Sequence, residues 1–297
     1  MATALDFRRS ETEAAPRRPR RVRPIRLHRP GRLTYLTLIA VVFFSGFPLY
    51  WSVVVASLDN SALGQIPPPL LPGGHLIENI RRVFDTVAFG RALVNSVIVA
   101  STITFSVVLL STLAGFAFAR LRFAGRPALY VSVIVTIMVP TQLGIIPLYI
   151  LMAKVGWINT LYAVIAPNLV SAFGVFFMTQ YLSSALPADL LEAGRVDGCT
   201  TWGLFWHVVL PVARPAAAVL GMLTFMNAWN DFFWPLVVLT PENPTVQVSL
   251  STLSSGYNRD YALTLTGTAL ATVPLIVVFG LLGKHLIQGI MQGAIKE

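Results

Sequence analysis

The sequence predicts an all-α membrane protein with six transmembrane helices, and three observations lead to that prediction. Hydrophobic residues make up 55% of the 297 positions and charged residues only 12%, against about 25% charged in a typical soluble domain. The mean hydropathy is +0.69. Six apolar stretches are long enough to cross a hydrocarbon core, which takes about 20 residues. Their predicted bounds are Leu33–Ala56, Leu93–Phe118, Leu129–Ala153, Leu161–Tyr181, Ala216–Leu239 and Leu263–Ile290.

Residues 1–32 form a basic tail ahead of the first span. Ten of the 22 lysines and arginines are arginines between Arg8 and Arg32. We expect a disordered cytoplasmic tail that helps to set the topology and is attracted to anionic lipid headgroups. Only Phe7 adds an aromatic ring to this tail, so a nucleic-acid stacking platform is not indicated. The apolar stretch behind it exceeds the about 7–15 residues of a signal peptide, so it is retained as the first span.

The distribution of basic residues predicts the orientation of the spans. With the amino terminus inside, the cytoplasmic segments hold 17 lysines and arginines and the external segments hold 5. Cytoplasmic segments of membrane proteins are enriched in these residues, so both termini are expected in the cytoplasm. The external segment Leu58–Arg91 contains a proline-glycine cluster, Ile66–Gly74, that cannot be helical. Apolar residues at helical spacing after it predict a short interfacial helix.

The loop between the fourth and fifth spans, about residues 182–214, is the most polar part of the chain after the tail. Its pattern predicts two short helices with a turn between them. Gly198 supplies a position where the first helix can end. Thr200 or its neighbour is a suitable cap for the second. Pro211 and Pro215 are predicted to end that second helix before the fifth span begins. This loop is expected to be a cytoplasmic docking element.

The same loop carries a motif of seven residues: Glu192, Ala193, Gly194, Asp197, Gly198, Leu210 and Pro211. It resembles the EAA loop of inner-membrane permease subunits of binding-protein-dependent ABC importers, in particular the maltose-type sugar permease group. The resemblance extends over residues 33–297 as one transmembrane domain. It includes Asn95-Ser96, Ala119–Arg126, Trp229–Pro235 and the carboxyl-terminal Gly289–Glu297. The one departure in the motif is Gly194, where the family usually has a second alanine.

The resemblance implies a permease subunit of an ATP-driven importer in a bacterial-type inner membrane. Its substrate would be a di- or oligosaccharide, with a cellobiose or β-glucoside type as the narrower guess. The implied partners are a second homologous permease, two ATPase subunits and an extracytoplasmic solute-binding protein that could meet the outer loop Leu239–Leu263. The seven motif residues would form the coupling helix in a cleft of the ATPase, where Glu192 would pair with a basic group. ATP and Mg²⁺ would bind to the ATPase, and this chain would hold no cofactor.

The chain offers no catalytic pattern of its own. The segment around Val278 and His285 lacks the first glycine and the final Ser or Thr of a phosphate-binding loop. No nucleophile–base pair or metal-ligand spacing is visible, so an intramembrane enzyme is not favoured. An ion-coupled secondary transporter would need intramembrane carboxylates, and only Asp231 approaches one. An ABC importer for another small solute remains the main alternative.

Polar residues within the spans are candidates for a substrate pathway: Gln142, Asn168, Asn227, Asn230, Asp231 and Trp234. The last four are spaced i, i+3, i+4 and i+7, which predicts one face of the fifth helix with amides, a carboxylate and an indole suited to a sugar. Alternatively, this face lies at the outer interface and its tryptophans belong to an aromatic belt. Gln142 and Asn168 lie beside helix-breaking prolines, where they line a pathway or form interhelical hydrogen bonds.

Overall fold

The computed structural model describes residues 31–64, 66, 69–255 and 260–294; of residues 63, 64, 282 and 284–294 it describes the backbone alone. Nearly all of the predicted basic tail therefore lies outside the described residues. The α-helices are α1 Arg32–Ala56, α2 Leu76–Thr86, α3 Phe89–Arg120, α4 Arg126–Met138, α5 Ile145–Lys154, α6 Leu161–Ile165, α7 Ala172–Ala185, α8 Ala188–Val196, α9 Thr201–Leu204, α10 Leu210–Trp229, α11 Phe233–Val238, α12 Val246–Ser254 and α13 Tyr261–Ala294. Short 3₁₀ turns and one π-helical turn lie between them, and the described residues contain no strand.

Among the described residues, five helical segments are long and apolar enough to cross a membrane: Arg32–Ala56, Phe89–Arg120, Leu161–Ala185, Thr201–Trp229 and Tyr261–Leu281. A sixth span is formed when the bent pair Arg126–Met138 and Thr141–Lys154 is counted as one. The prediction of an all-α membrane protein is therefore confirmed, with five spans, or six when this bent pair is one span. The chain divides into two units between Gly46 and Phe47. Within the first unit, residues 32–46 are helical; all the contacts below belong to the second.

Helix α3 is the centre of the second unit and packs against α7 and α10. Two glycines lie at its crossing with α7. A Cβ atom at Gly115 would lie 2.8 Å from the Cβ of Met178 and 2.9 Å from its carbonyl carbon. A Cβ atom at Gly174, on α7, would overlap the Ser111 hydroxyl of α3. Because neither glycine carries a side chain, the two backbones approach closely along this crossing, as small residues permit in membrane helices.

The third predicted span, Leu129–Ala153, is broken, and its two helices are bent by 89°. Val139 and Pro140 adopt extended backbone conformations between them. The residue before a proline is disfavoured in the α region, so α4 ends at Met138. Pro147 lies in the first turn of α5, where its missing N–H group is tolerated. Only the first of the two prolines therefore interrupts the span.

The fifth predicted span, Ala216–Leu239, is wrong at both ends. Helical backbone runs without interruption from Thr201 to Trp229, through Pro211 and Pro215. Ahead of Pro211 the chain forms a π-helical turn at Phe205–Val209, in which the Leu210 N–H donates to the Phe205 carbonyl five residues earlier. Pro211 then stands in the first turn of α10, where it needs no N–H partner. The prolines are thus absorbed within a continuous helix, and they do not end it.

The outer end of the fifth span is set by a real break. The Asn230 N–H donates to the Met226 carbonyl at 3.0 Å as the cap of α10, and the short helix α11 begins only at Phe233. Two indole side chains hold the segments on either side of this break against other helices. Trp229 Nε1 donates to the Ala271 carbonyl of α13 at 3.2 Å. Trp234 Nε1 donates to the Ala163 carbonyl of α6 at 2.9 Å. The continuous helical face predicted for this region is therefore divided between two helices.

The predicted outer loop Leu239–Leu263 contains a helix, α12, and its first part is held by amide side chains. Asn95 Nδ2 donates to Asn243 Oδ1 at 3.0 Å and to the Pro244 carbonyl at 2.9 Å. Asn243 Nδ2 in turn donates to the Asn159 carbonyl at 3.0 Å. These bonds join α3, the turn after α5 and the segment after α11. The segment before α12 therefore has a fixed position against the bundle.

The short helix predicted after the proline-glycine cluster is α2, and that prediction is confirmed. Arg82 of α2 forms a salt bridge with Asp260 at 2.6 Å, immediately before α13. Asn79 is buried and donates to the carbonyl groups of Ala56 and Leu58 at 3.0 Å and 2.8 Å. Helix α2 is therefore fastened both to the end of α1 and to the start of α13.

Candidate functional site

The loop between the fourth and fifth spans folds as α8, a tight turn and α9. Gly198 has φ of +82°, a left-handed conformation that favours glycine. The Gly198 N–H donates to the Arg195 carbonyl at 3.0 Å, and the Cys199 N–H donates to the Gly194 carbonyl at 2.9 Å. These two bonds form a Schellman motif at the end of α8. Thr200 caps α9, since its side chain accepts a hydrogen bond from the Gly203 N–H. The predicted turn and cap are both confirmed.

The surface of this loop combines apolar and charged side chains. Val196 is 88% exposed and Trp202 is 59% exposed, although both are large apolar residues. Glu192, Arg195 and Asp197 are exposed beside them. The opposite side of the loop is buried against the bundle; its residues are Leu191, Leu204, Phe205 and Val209. An exposed surface of aromatic, aliphatic and charged groups on a rigid base is typical of a protein-docking site.

Gly194 is explained by the packing of α8 on α9. A Cβ atom at residue 194 would lie 2.5 Å from Cδ2 of Leu204, a side chain that is only 1% exposed. The other motif positions differ in their surroundings. Ala193 is exposed, Leu210 is half-buried, and Pro211 is exposed at the start of α10. The glycine at this motif position therefore leaves room for the Leu204 side chain, which an alanine would contact too closely.

Replacing Gly194 with alanine is expected to destabilise the loop. The gain of up to about 1 kcal/mol in helix propensity is outweighed by overpacking against Leu204, which typically costs about 1–3 kcal/mol. A net loss of about 1 kcal/mol would speed tryptic cleavage after Arg195 about fivefold. The double variant Gly194→Ala, Leu204→Val, which shortens the facing side chain, should return the rate towards that of the natural chain. Slower cleavage of the single variant would contradict this explanation.

A cavity of about 840 Å³ lies within the second unit, between the third, fourth and fifth spans and α3. Three of the six predicted pathway residues line it: Asn168, Asn227 and Asp231. The Asn168 Nδ2 donates to the Val164 carbonyl at 2.9 Å, which fixes the orientation of its amide. Backbone N–H groups of Trp234 and Phe233 donate to the Asp231 carboxylate. The cavity thus carries amide and carboxylate groups on walls that are otherwise largely apolar.

The other three predicted pathway residues do not line the cavity. Gln142 is exposed in the 3₁₀ turn between α4 and α5. Asn230 donates to the Met226 carbonyl and accepts a hydrogen bond from Gln247, so it joins α10 to α12. Trp234 is 7% exposed and is bound to α6. The break after α10 separates these groups from Asn227, so the predicted spacing on one helix face does not bring them together.

Four hydroxyl-bearing residues line the same cavity and were not predicted from the sequence. They are Thr136, Thr141, Ser171 and Thr224. Thr224 precedes Asn227 by three residues, so helical spacing could have identified it. Thr141 follows Pro140, and Ser171 caps α7 by accepting a hydrogen bond from the Gly174 N–H. The described residues contain no group of three or more His, Cys, Asp or Glu side chains that could hold a metal ion.

Comparisons with known proteins agree with this architecture. The family described as "Binding-protein-dependent transport system inner membrane component" matches residues 108–292. The lactose transport system permease protein LacG of Rhizobium radiobacter is 34% identical over 273 residues, which cover 92% of this chain and 98% of that protein. The arabinooligosaccharides transport system permease protein AraQ of Halalkalibacterium halodurans is 36% identical over 264 residues, which cover 86% of this chain and 93% of that protein.

A solved structure shares the fold. The crystal structure of a bacterial ABC transporter involved in the import of the acidic polysaccharide alginate matches with a TM-score of 0.74 at 22% identity, over 86% of this chain and 95% of that chain. The family match, these relatives and the apolar spans together make the chain a multi-pass inner-membrane protein and a transporter subunit. The chain belongs to the family of binding-protein-dependent transport system inner membrane components.

Proposed function

We propose that this chain is a sugar-translocating permease subunit whose α8–α9 loop couples the transmembrane cavity to a cytoplasmic ATPase. The observation that supports this most strongly is the uninterrupted helix Thr201–Trp229. It begins inside the loop and spans about 43 Å at 1.5 Å per residue. Near its other end, Thr224 and Asn227 line the cavity. In this proposal, a displacement of the loop is transmitted along one continuous helical segment to the cavity wall.

The exposed part of the loop is the surface that would enter a cleft of the ATPase. Its core residues are Glu192, Ala193, Gly194, Asp197 and Gly198, with Leu210 and Pro211 at the start of α10. Glu192 is exposed and pairs with a basic group of the ATPase in this proposal. Because Leu204 and Phe205 are buried against the bundle, the loop moves together with its base. The distribution of basic residues supports a cytoplasmic position for this loop and for both termini.

The complete importer would contain this chain, a second homologous permease, two ATPase subunits and an extracytoplasmic solute-binding protein. ATP and Mg²⁺ bind to the ATPase subunits in this proposal, and this chain supplies coupling and a half of the pathway. The binding free energies of ATP and of the loaded binding protein shift the equilibrium between inward-open and outward-open states. In this proposal the segment before α12, which Asn95 and Asn243 hold against the bundle, meets the binding protein.

The substrate we propose is a di- or oligosaccharide. The cavity volume of about 840 Å³ lies within the range of about 300–1,000 Å³ found for ligand pockets. Amide, carboxylate and hydroxyl groups on its walls suit the hydroxyl groups of sugars, and the apolar walls suit their ring faces. The relatives named for lactose and for arabinooligosaccharides support the same substrate class.

Reversing the charge at Glu192 tests the coupling role. In the assembled importer, Glu192→Lys is expected to lower ATP-driven uptake at least tenfold and to prevent co-purification of the ATPase. The variant replaces the carboxylate that pairs with a basic group of the ATPase by a positive charge, which repels that group. Asp85→Lys is the matched control, since Asp85 is also an exposed carboxylate and lies on the short helix α2. The control should retain the ATPase. Normal uptake and normal ATPase recovery with Glu192→Lys would refute the coupling assignment.

A further inference from the structure

Among the described residues that line the transmembrane cavity, one carries an ionisable side chain. Twenty described residues line the cavity, and among them Asp231 is the only one with an ionisable side chain. No lysine, arginine or histidine is among these lining residues. The nearest basic residue along α10 is Arg214, which lies near the opposite end of that helix and is exposed. This half of the cavity therefore has a negative electrostatic potential that no basic group of its own wall offsets.

A carboxylate in such a wall treats neutral and acidic solutes differently. At an effective dielectric constant of about 20, a carboxylate about 6 Å from a negatively charged solute lowers the binding constant of that solute on the order of a hundredfold. The same carboxylate accepts hydrogen bonds from sugar hydroxyls, and such charge-assisted bonds are stronger than neutral ones. A single carboxylate can thus favour an uncharged sugar and oppose a uronate or a sugar phosphate.

The groups beside Asp231 are uncharged and available for hydrogen bonding. The Asn227 side chain is exposed to the cavity and has no hydrogen-bond partner among the described residues. Thr224 adds a hydroxyl one helical turn earlier on the same wall. Thr224 and Asn227 line the cavity from α10, and Asp231 lines it from the break that follows this helix. Together they offer two uncharged polar groups that suit neutral hydroxyl groups, and one group that repels anions.

We infer that this importer admits uncharged oligosaccharides and rejects acidic ones, with Asp231 as the residue of this chain that determines the distinction. The inference rests on the proposed function, because it assigns a substrate charge to the same cavity. It separates this chain from the structure that shares its fold, which is involved in the import of the acidic polysaccharide alginate. A fold shared at 22% identity does not indicate the charge of the substrate. We infer that charge from the residues that line the cavity.

The experiment compares two probes that differ by one carboxylate, cellobiose and cellobiuronic acid. Both are titrated by saturation-transfer NMR onto the detergent-purified importer of two permeases and two ATPase subunits, without its binding protein. Cellobiose is expected to bind at least tenfold more tightly than the acid. Asp231→Asn, which keeps an acceptor oxygen for the Phe233 and Trp234 amides, should reduce this difference to about threefold or less. Asn227→Asp adds a second carboxylate and should widen it.

Asp85→Asn is the matched control, because it removes an exposed carboxylate of α2 that lies outside this cavity, and it should leave the difference unchanged. The inference is overturned if the acid binds as tightly as cellobiose, if cellobiose does not bind, or if Asp231→Asn leaves the difference unaltered. A failure of the proposed function would give a different experimental result. ATP-driven uptake or ATPase recovery would be absent, while the ratio of the two affinities could still depend on Asp231.

Discussion

Replacing Gly198 with proline is expected to abolish ATP-driven uptake and to release the ATPase, while the chain still inserts into the membrane. Gly198 has φ of +82°, whereas proline is restricted to about −65°. Proline also lacks the N–H that donates to the Arg195 carbonyl at 3.0 Å. The restricted φ and the missing N–H each prevent the Schellman motif, which sets the angle between α8 and α9. Uptake into proteoliposomes should fall at least tenfold, and the ATPase should no longer co-purify.

The chain contains a matched control for this variant at Gly156. Gly156 has φ of +72° after α5, and its N–H donates to the Ala153 carbonyl at 3.1 Å. A Cβ atom would meet nothing within 4 Å at either glycine. Gly156→Pro therefore imposes the same backbone strain outside the α8–α9 loop. It should lower stability but retain the ATPase. Equal loss of the ATPase from both variants would indicate general misfolding and contradict a specific role for the turn at Gly198.

The α8–α9 loop could be predicted closely from the sequence because its signals are local. A Schellman turn needs a residue that tolerates positive φ, and Gly198 is the one glycine in the right place. A helix cap needs a hydroxyl that reaches an N–H three residues later, and Thr200 provides it. Such features depend on neighbouring residues alone. The packing of Gly194 against Leu204 could not be predicted in this way, since ten residues and a turn separate the two.

The bounds of the fifth span were wrong because they depend on contacts with other helices. Pro211 has a strong local tendency to end a helix, but the π-helical turn before it carries the chain onward. At the other end, Trp229 and Trp234 look like members of one apolar run. The structure binds the first to α13 and the second to α6. Hydropathy assigns both residues to one apolar segment, but it does not identify the helix against which each indole packs.

The same reason limits the prediction of the cavity. Asn227 and Asp231 were identified because polar residues in a span are rare enough to be informative. Asn168 was identified through the neighbouring Pro167, which the structure places in a 3₁₀ turn. Trp234 fits the helical spacing but not the cavity, because the helix ends five residues before it. Hydroxyl groups such as Thr136 carry no comparable signal, since a hydroxyl within a helix also bonds to its own backbone, as Thr136 does to Ser132.

Replacing Gly115 with valine is expected to cause the largest loss of stability among the variants considered, because it separates the two helices that organise the fold. The added Cβ would lie 2.8 Å from the Cβ of Met178 and 2.9 Å from its carbonyl carbon. The carbonyl carbon belongs to the backbone, so no rotamer change at Met178 relieves the overlap. We expect a loss of about 3 kcal/mol, the upper part of the usual range for overpacking. The unfolding midpoint in detergent should fall by roughly 10 °C.

Gly280→Val separates this steric effect from the general effect of valine in a membrane helix. Gly280 lies within α13, and a Cβ atom there would meet nothing within 4 Å. This control adds the same side chain at a site that faces open space, so its midpoint should change by no more than about 3 °C, which corresponds to about 1 kcal/mol. If Gly115→Val unfolds at the same temperature as the natural chain, the close crossing of α3 and α7 is not what holds the bundle together. The stabilising contacts would then lie between α3 and α10, where a Cβ atom added at Gly221 would meet side chains only at ordinary contact distances.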